Sequence, residues 1–113
     1  MPYIQVEISK SISPELKDTI KSYAGSLIPI IPGKSEKVLM ISIRDDSKMY
    51  FQGTDVNCAF VNINLYLDAP LESKRIFAQE FIEKLSYSLD IEPKNIFMVF
   101  TEYSNWVANG NLK

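Results

Sequence analysis

One order of elements occurs twice along this chain, and it limits the possible folds more than any other feature: an alternating strand, an amphipathic helix, then a second apolar strand. In residues 3–9, Ile4, Val6 and Ile8 share one face while Gln5, Glu7 and Ser9 share the other, the two-residue period of a strand with one buried side. Ser13-Pro14 then reads as a helix start, an N-cap hydroxyl followed by a proline whose missing N–H costs nothing in the first turn. Leu16, Ile20, Tyr23, Ala24, Leu27 and Ile28 follow at helical spacing, and Pro29 and Pro32-Gly33 stop the helix. Residues 38–44 are mostly apolar and form the second predicted strand.

The second pass has the same grammar. Residues 58–67 alternate throughout, with Ala59, Val61, Ile63, Leu65 and Leu67 on one face and Cys58, Phe60, Asn62, Asn64 and Tyr66 on the other. A helix over residues 71–89 has Ala78, Phe81, Ile82, Leu85 and Leu89 on its apolar stripe and Lys74, Arg75, Glu80, Glu83 and Lys84 on its wet side. Pro93-Lys94-Asn95 turns into a fourth strand over residues 96–101. The joints correspond as well: Pro32-Gly33-Lys34 leads to Val38-Leu39-Met40-Ile41, and Pro93-Lys94 leads to Ile96-Phe97-Met98-Val99. The pattern predicts an α+β domain over residues 1–113. It consists of duplicated βαβ units, about 2–45 and 58–101, with right-handed crossovers, and forms one four-stranded mixed sheet with both helices on a single face. Between the halves, Met49-Tyr50-Phe51 suggests a short hairpin arm before Gly53, and Asn109-Gly110 signals a turn in the tail.

Composition narrows the chemistry. The 12 basic and 14 acidic residues leave a net charge of −2, which gives no reason to expect nucleic acid as a partner. No segment approaches the roughly 18 unbroken apolar residues of a membrane span, and no leader-like segment is evident, so the expectation is a cytoplasmic protein without a membrane partner. The single Cys58 excludes an internal disulfide, and the absence of histidine excludes His-based triads and His-ligated metal. Any general base must therefore be a carboxylate, Lys, Tyr, Cys or a chain terminus.

The predicted outer face of the sheet carries Val38 and Met40, Phe60, Asn62, Asn64 and Tyr66, then Phe97 and Val99. It is too apolar to face water and too polar for a dry core, which suits packing against another copy of the chain; the tail is the other candidate cover.

Several short words are distributed along the chain: Met1-Pro2 opening directly onto a strand, Ile31-Pro32-Gly33-Lys34-Ser35-Glu36, Tyr50-Phe51-Gln52-Gly53, Cys58-Ala59-Phe60-Val61, and Asn105-Trp106 before Asn109-Gly110. In these the chain resembles the tautomerase superfamily, within it the macrophage migration inhibitory factor group, and most of all its bacterial phenylpyruvate tautomerase-like members. The resemblance implies a duplicated βαβ fold in a ring-shaped homotrimer, with no cofactor and no metal. It implies that Pro2, made amino-terminal by loss of Met1, is the base that moves a proton between the enol and keto forms of a small-molecule 2-oxo acid substrate. Lys34 falls on the lysine that grips the substrate carboxylate and holds the proline amine's pKa down. Tyr66 falls where a main-chain N–H meets the substrate oxygen. Phe97 and Val99 fall on the pocket wall lent by an adjacent subunit, where cytokine-type members carry a tyrosine and an asparagine, so a more apolar site is implied. Trp106 and Met40 are candidates for the same aromatic-binding wall, with Trp106 as core the alternative. Cytokine-type members also carry a Cys-x-x-Cys where Cys58 is followed three positions on by Val61, which excludes dithiol chemistry through that motif. Two other functions suit the same scaffold: a 5-carboxymethyl-2-hydroxymuconate isomerase-like enzyme, and a non-catalytic trimeric interaction protein.

Overall fold

The computed structural model describes all 113 residues. Its main elements are β1 (Pro2–Ile8), α1 (Pro14–Leu27), β2 (Met40–Arg44), β3 (Ala59–Tyr66), α2 (Leu71–Leu89), β4 (Ile96–Tyr103) and a tail hairpin of β5 (Val107–Ala108) and β6 (Asn111–Leu112). The first four strands form one mixed sheet in the order β2-β1-β3-β4. Within it β1 runs parallel to β2, β3 runs parallel to β4, and the two halves meet antiparallel along β1 and β3. This is the expected architecture.

Alternation sets the layers. Ile4, Val6 and Ile8 pair with Ile63, Val61 and Ala59, and every one of these side chains is buried. They pack in one core with Ile20, Ala24 and Ile28 from the first helical region and Phe77, Phe81, Leu85 and Leu89 from α2, so both helices lie on the same face. The buried line of α2 includes Phe77, which the predicted stripe omitted; its ring meets Phe81 at 5.5 Å and Phe100 at 6.3 Å. Ala78 and Ile82, placed on the stripe, are only partly buried beside that line.

Three local expectations need correction. Val38 is not on β2: the bonds from Val38 N–H to Ser35 O (3.2 Å) and from Leu39 N–H to Glu36 O (3.1 Å) close a 3-10 turn over Glu36–Val38, and the strand begins at Met40. Cys58 does not share the outer face with Phe60. It is buried just before β3, where its N–H donates to Ser9 Oγ (2.9 Å). Leu67 leaves the inward series because its φ of +67° turns the chain out of the sheet, and it is exposed. The hairpin arm after Met49 is reduced to one bridge between Phe51 and Thr54 around Gln52-Gly53. No helix is long and apolar enough to cross a membrane.

The halves are joined to their helices by the same device. After β2, Asp45 accepts from the Ile12 N–H at 2.9 Å and pairs with Lys17 at 2.9 Å, fixing the approach to α1. Near the end of β4, Glu102 accepts from the Ala69 N–H at 2.6 Å and pairs with Lys74 at 3.0 Å, fixing the approach to α2. Ile12 and Ala69, Lys17 and Lys74, and Asp45 and Glu102 are each 57 positions apart, as are the first residues of β1 and β3 and of α1 and α2.

These ties have a pH signature. The Ile12 N–H, then Lys17, holds the Asp45 carboxyl below its usual range; the Ala69 N–H, then Lys74, does the same for Glu102. A lowered folded-state pKa stabilises the fold above the unfolded carboxyl range, and that contribution is lost as pH falls through the folded value. We expect Asp45→Asn combined with Glu102→Gln to melt below wild type at about pH 7 and level with it at about pH 2, measured by circular dichroism. In the core, Phe77→Ala is expected to cost about 3–5 kcal/mol in denaturant unfolding.

Candidate active site

The first residues of the chain are held by backbone pairing. Pro2 opens β1 opposite Leu65 and is buried. One register step on, the Tyr66 N–H donates to the Met1 carbonyl at 3.2 Å, and the Tyr66 carbonyl accepts from Lys34 Nζ at 3.0 Å. The backbone of Tyr66 therefore holds both the start of the chain and a lysine. Lys34 reaches this place because Gly33, at φ +79°, reverses the chain after the 3-10 turn Ile28–Ile30. A Cβ at Gly33 would touch nothing, so the backbone angle and not lack of space calls for glycine.

The environment acts on the amine carried by Met1. Burial first, then the charge and hydrogen bond of Lys34, then the charge of Lys113, lower its pKa from 8.0 to about 6. An amine so placed has a large neutral fraction at pH 7, which a general base requires.

Beside it is a cleft of about 650 Å³. Met1, Pro2 and Tyr3 form one side, Lys37, Val38 and Met40 another, and Trp106 with Val107, Ala108 and Asn109 a third. The tail reaches the cleft because Asn109 (φ +54°) and Gly110 (φ +76°) make the tight turn between β5 and β6, and the Lys113 N–H donates to Trp106 O at 2.7 Å. Trp106 is steadied by Tyr103, ring to ring at 5.9 Å. Tyr103 donates to Asn64 Oδ1 (3.0 Å), Asn64 Nδ2 donates to Tyr3 O (3.2 Å), and the Tyr3 hydroxyl shares a 2.8 Å hydrogen bond with Ser42. A polar row thus crosses all four strands on the outer face.

Of the residues singled out in the sequence, Pro2, Met40 and Trp106 line this cleft, and Lys34 and Tyr66 are hydrogen-bonded at its amino-terminal side. Phe97 and Val99 do not meet them within one chain. Phe97 pairs with Phe60, which pairs with Glu7, so it lies two strands across and five positions along from Pro2, on the order of 20 Å away. Its ring packs edge-on against Phe51 at 5.2 Å. Sequence reasoning missed Lys37, Lys113 and the Val107–Ala108 strand. The turn signal at Asn109-Gly110 could have returned the tail to Trp106, whereas Lys37 carries no signal of its own and reaches the cleft wall through the 3-10 turn Glu36–Val38. No cluster of Cys, Asp and Glu converges on a metal-binding geometry.

No protein-family model matches the chain, and no curated protein matches it by sequence. Solved structures do match in three dimensions. The crystal structure of MIF2 from Leishmania major superposes with a TM-score of 0.92 over 100% of this chain and 97% of its own, at 18% identity. The macrophage migration inhibitory factor-like protein of Entamoeba histolytica gives 0.87 over 99% and 98%, at 22% identity. Pt0534 inactivated by 2-oxo-3-pentynoate gives 0.81 over 96% and 93%, at 10% identity. With its mixed sheet, paired helices and tail hairpin matched from end to end, the chain has the macrophage migration inhibitory factor fold.

Proposed function

We propose that this chain is a cofactor-independent keto–enol tautomerase of phenylpyruvate-like 2-oxo acids, with Pro2 as the base once Met1 is removed. The observation that carries the reading is the position of Met1. Its carbonyl occupies the Tyr66 N–H (3.2 Å), and its amine lies beside Lys34 in a setting that lowers the pKa to about 6. Removing Met1 frees that N–H for a substrate oxygen and leaves the Pro2 secondary amine at the edge of a largely apolar cleft. Methionine aminopeptidases cleave before small residues such as proline, so the processing is chemically ordinary.

In this mechanism Pro2 takes the proton from the enol hydroxyl, the Tyr66 N–H meets the developing enolate oxygen, and the protonated amine returns the proton to the neighbouring carbon. Bonds and charges balance, and nothing is oxidised. Lys34 holds the carboxylate and, as a neighbouring cation, favours the neutral amine. Trp106 and Met40 supply the apolar wall. That Pt0534, of the same fold, is inactivated by a 2-oxo compound supports a 2-oxo acid as the substrate class. Phe97 and Val99 enter as the wall lent by a neighbouring copy in a homotrimer; the outer sheet face supports this, with Met40 69% and Phe97 53% exposed in the single chain. A chain that keeps Met1 favours the non-catalytic trimeric reading, because Pro2 is then an amide without basicity and the Tyr66 N–H stays engaged.

Mass spectrometry of the purified protein is expected to show loss of Met1, with 2-oxo-3-pentynoate adding once per chain at Pro2. Ketonisation of phenylpyruvate enol should fall in Pro2→Ala, which puts a primary amine in place of the ring-held secondary amine; equal rates would remove Pro2 from the mechanism. The pH profile of kcat/KM should rise through an inflection below the ordinary range of a terminal amine, in the direction that burial and Lys34 push the Met1 amine. Lys34→Ala should raise KM more than it lowers kcat, since carboxylate grip is mostly uniform binding, and should move that inflection upward because a neighbouring cation is gone.

A further inference from the structure

The cleft carries a charge pattern that a single carboxylate does not use up. Six of the chain's 12 basic side chains are in ion pairs. Lys34, Lys37 and Lys113 are not among them, and all three border the cleft: Lys34 at its amino-terminal side through Tyr66, Lys37 in another wall, and Lys113 by its charge acting on the Met1 amine. No acidic residue lines the cleft. The one acid in the loop that carries the first two lysines, Glu36, is turned away toward α1. There it pairs with Lys21 at 3.5 Å and lies so close to Gly25 that a Cβ at that position would collide with it. The loop thus sends its negative charge to the helix and leaves Lys37 unpaired on the cleft side, in a protein whose net charge is −2.

The cleft is also polar on two of its sides. The Tyr66 backbone and Lys34 mark one, Lys37 marks another, and Val38, Met40 and Trp106 supply apolar surface beside it. A monocarboxylate held by Lys34 leaves Lys37 without a counter-charge. We infer that Lys37 is a specificity-determining residue that selects 2-oxo acids carrying a second carboxylate at the end remote from the 2-oxo group, with an apolar or aromatic spacer lying against Trp106. The assignment of the first carboxylate to Lys34 rests on the tautomerase reading; the preference for two carboxylates is a binding property that stands apart from turnover.

Trp106 is the chain's single tryptophan, so its fluorescence reports occupancy of the cleft directly. Phenylacetate and 4-carboxyphenylacetate, which do not react, are titrated into the assembled protein. The dicarboxylate should bind about fivefold more tightly, the upper range of an exposed lysine–carboxylate pair, and the advantage should shrink as salt is added. Lys37→Gln should bring the ratio to about one, while Lys37→Arg keeps most of it. A wild-type ratio near one overturns the inference, as does a ratio that Lys37→Gln leaves unchanged. The enols of phenylpyruvate and 4-carboxyphenylpyruvate are then compared in the ketonisation assay. If neither reacts while the binding ratio holds, the tautomerase reading falls and the dicarboxylate site stands. If both react equally and bind equally, the tautomerase stands and the role of Lys37 falls.

Discussion

The antiparallel register between β1 and β3 is the constraint on which the rest of this structure depends. Both strands bury every second residue against the helices, so a slip of one position would turn Ile4, Val6, Ile8, Val61, Ile63 and Leu65 toward solvent together. The same register sets Pro2 opposite Leu65 and brings the Tyr66 N–H to the Met1 carbonyl. Hydrophobic alternation in the centre of the sheet thereby fixes the position of the first residues at its end to hydrogen-bond precision. The amino-terminal side of the site inherits its geometry from the core.

A second layer of control comes from short segments that the sheet does not dictate. Gly33 turns Lys34 back toward Tyr66, and the 3-10 turn at Glu36–Val38 separates the paths of Glu36 and Lys37. The tail closes the cleft only because its hairpin folds Trp106 back across the sheet edge, where Tyr103 and the row through Asn64 and Tyr3 steady it. These contacts are few and partly exposed, so this wall is the softest of the three.

Much of the fold was legible because the chain states it twice. Strict alternation in β1 and β3 and the helical stripes leave little freedom once four strands must share one core. What escaped did so for local reasons. Val38 reads as strand by composition, but the bonds from Val38 N–H to Ser35 O and from Leu39 N–H to Glu36 O close a turn there first. Phe77 lies one turn before Phe81, yet the stripe drawn through Ala78 and Ile82 hid it; only the position of Phe100 on β4 shows which edge of α2 faces inward. Pro2, Lys34 and Tyr66 come from three distant segments, and no spacing rule brings them together. Their grouping was suggested by family-like words in the sequence and rests physically on the register. Lys37 and Lys113 had no such word, and their place depends on the turns on either side.

The 57-position correspondence between the halves has a consequence for how many such sites one polypeptide can hold. The counterpart of Pro2 is Ala59 and the counterpart of Lys34 is Ile91, both buried and apolar. The difference is more than substitution, because Ala59 is preceded by Cys58 in an unbroken chain and its nitrogen is an amide. Copying the βαβ unit copies the strand, the helix and the carboxylate ties, but not a terminus. The proposed site, if built on the terminal α-amine, is therefore limited to one per chain whatever the internal symmetry, and its number can grow only by adding subunits.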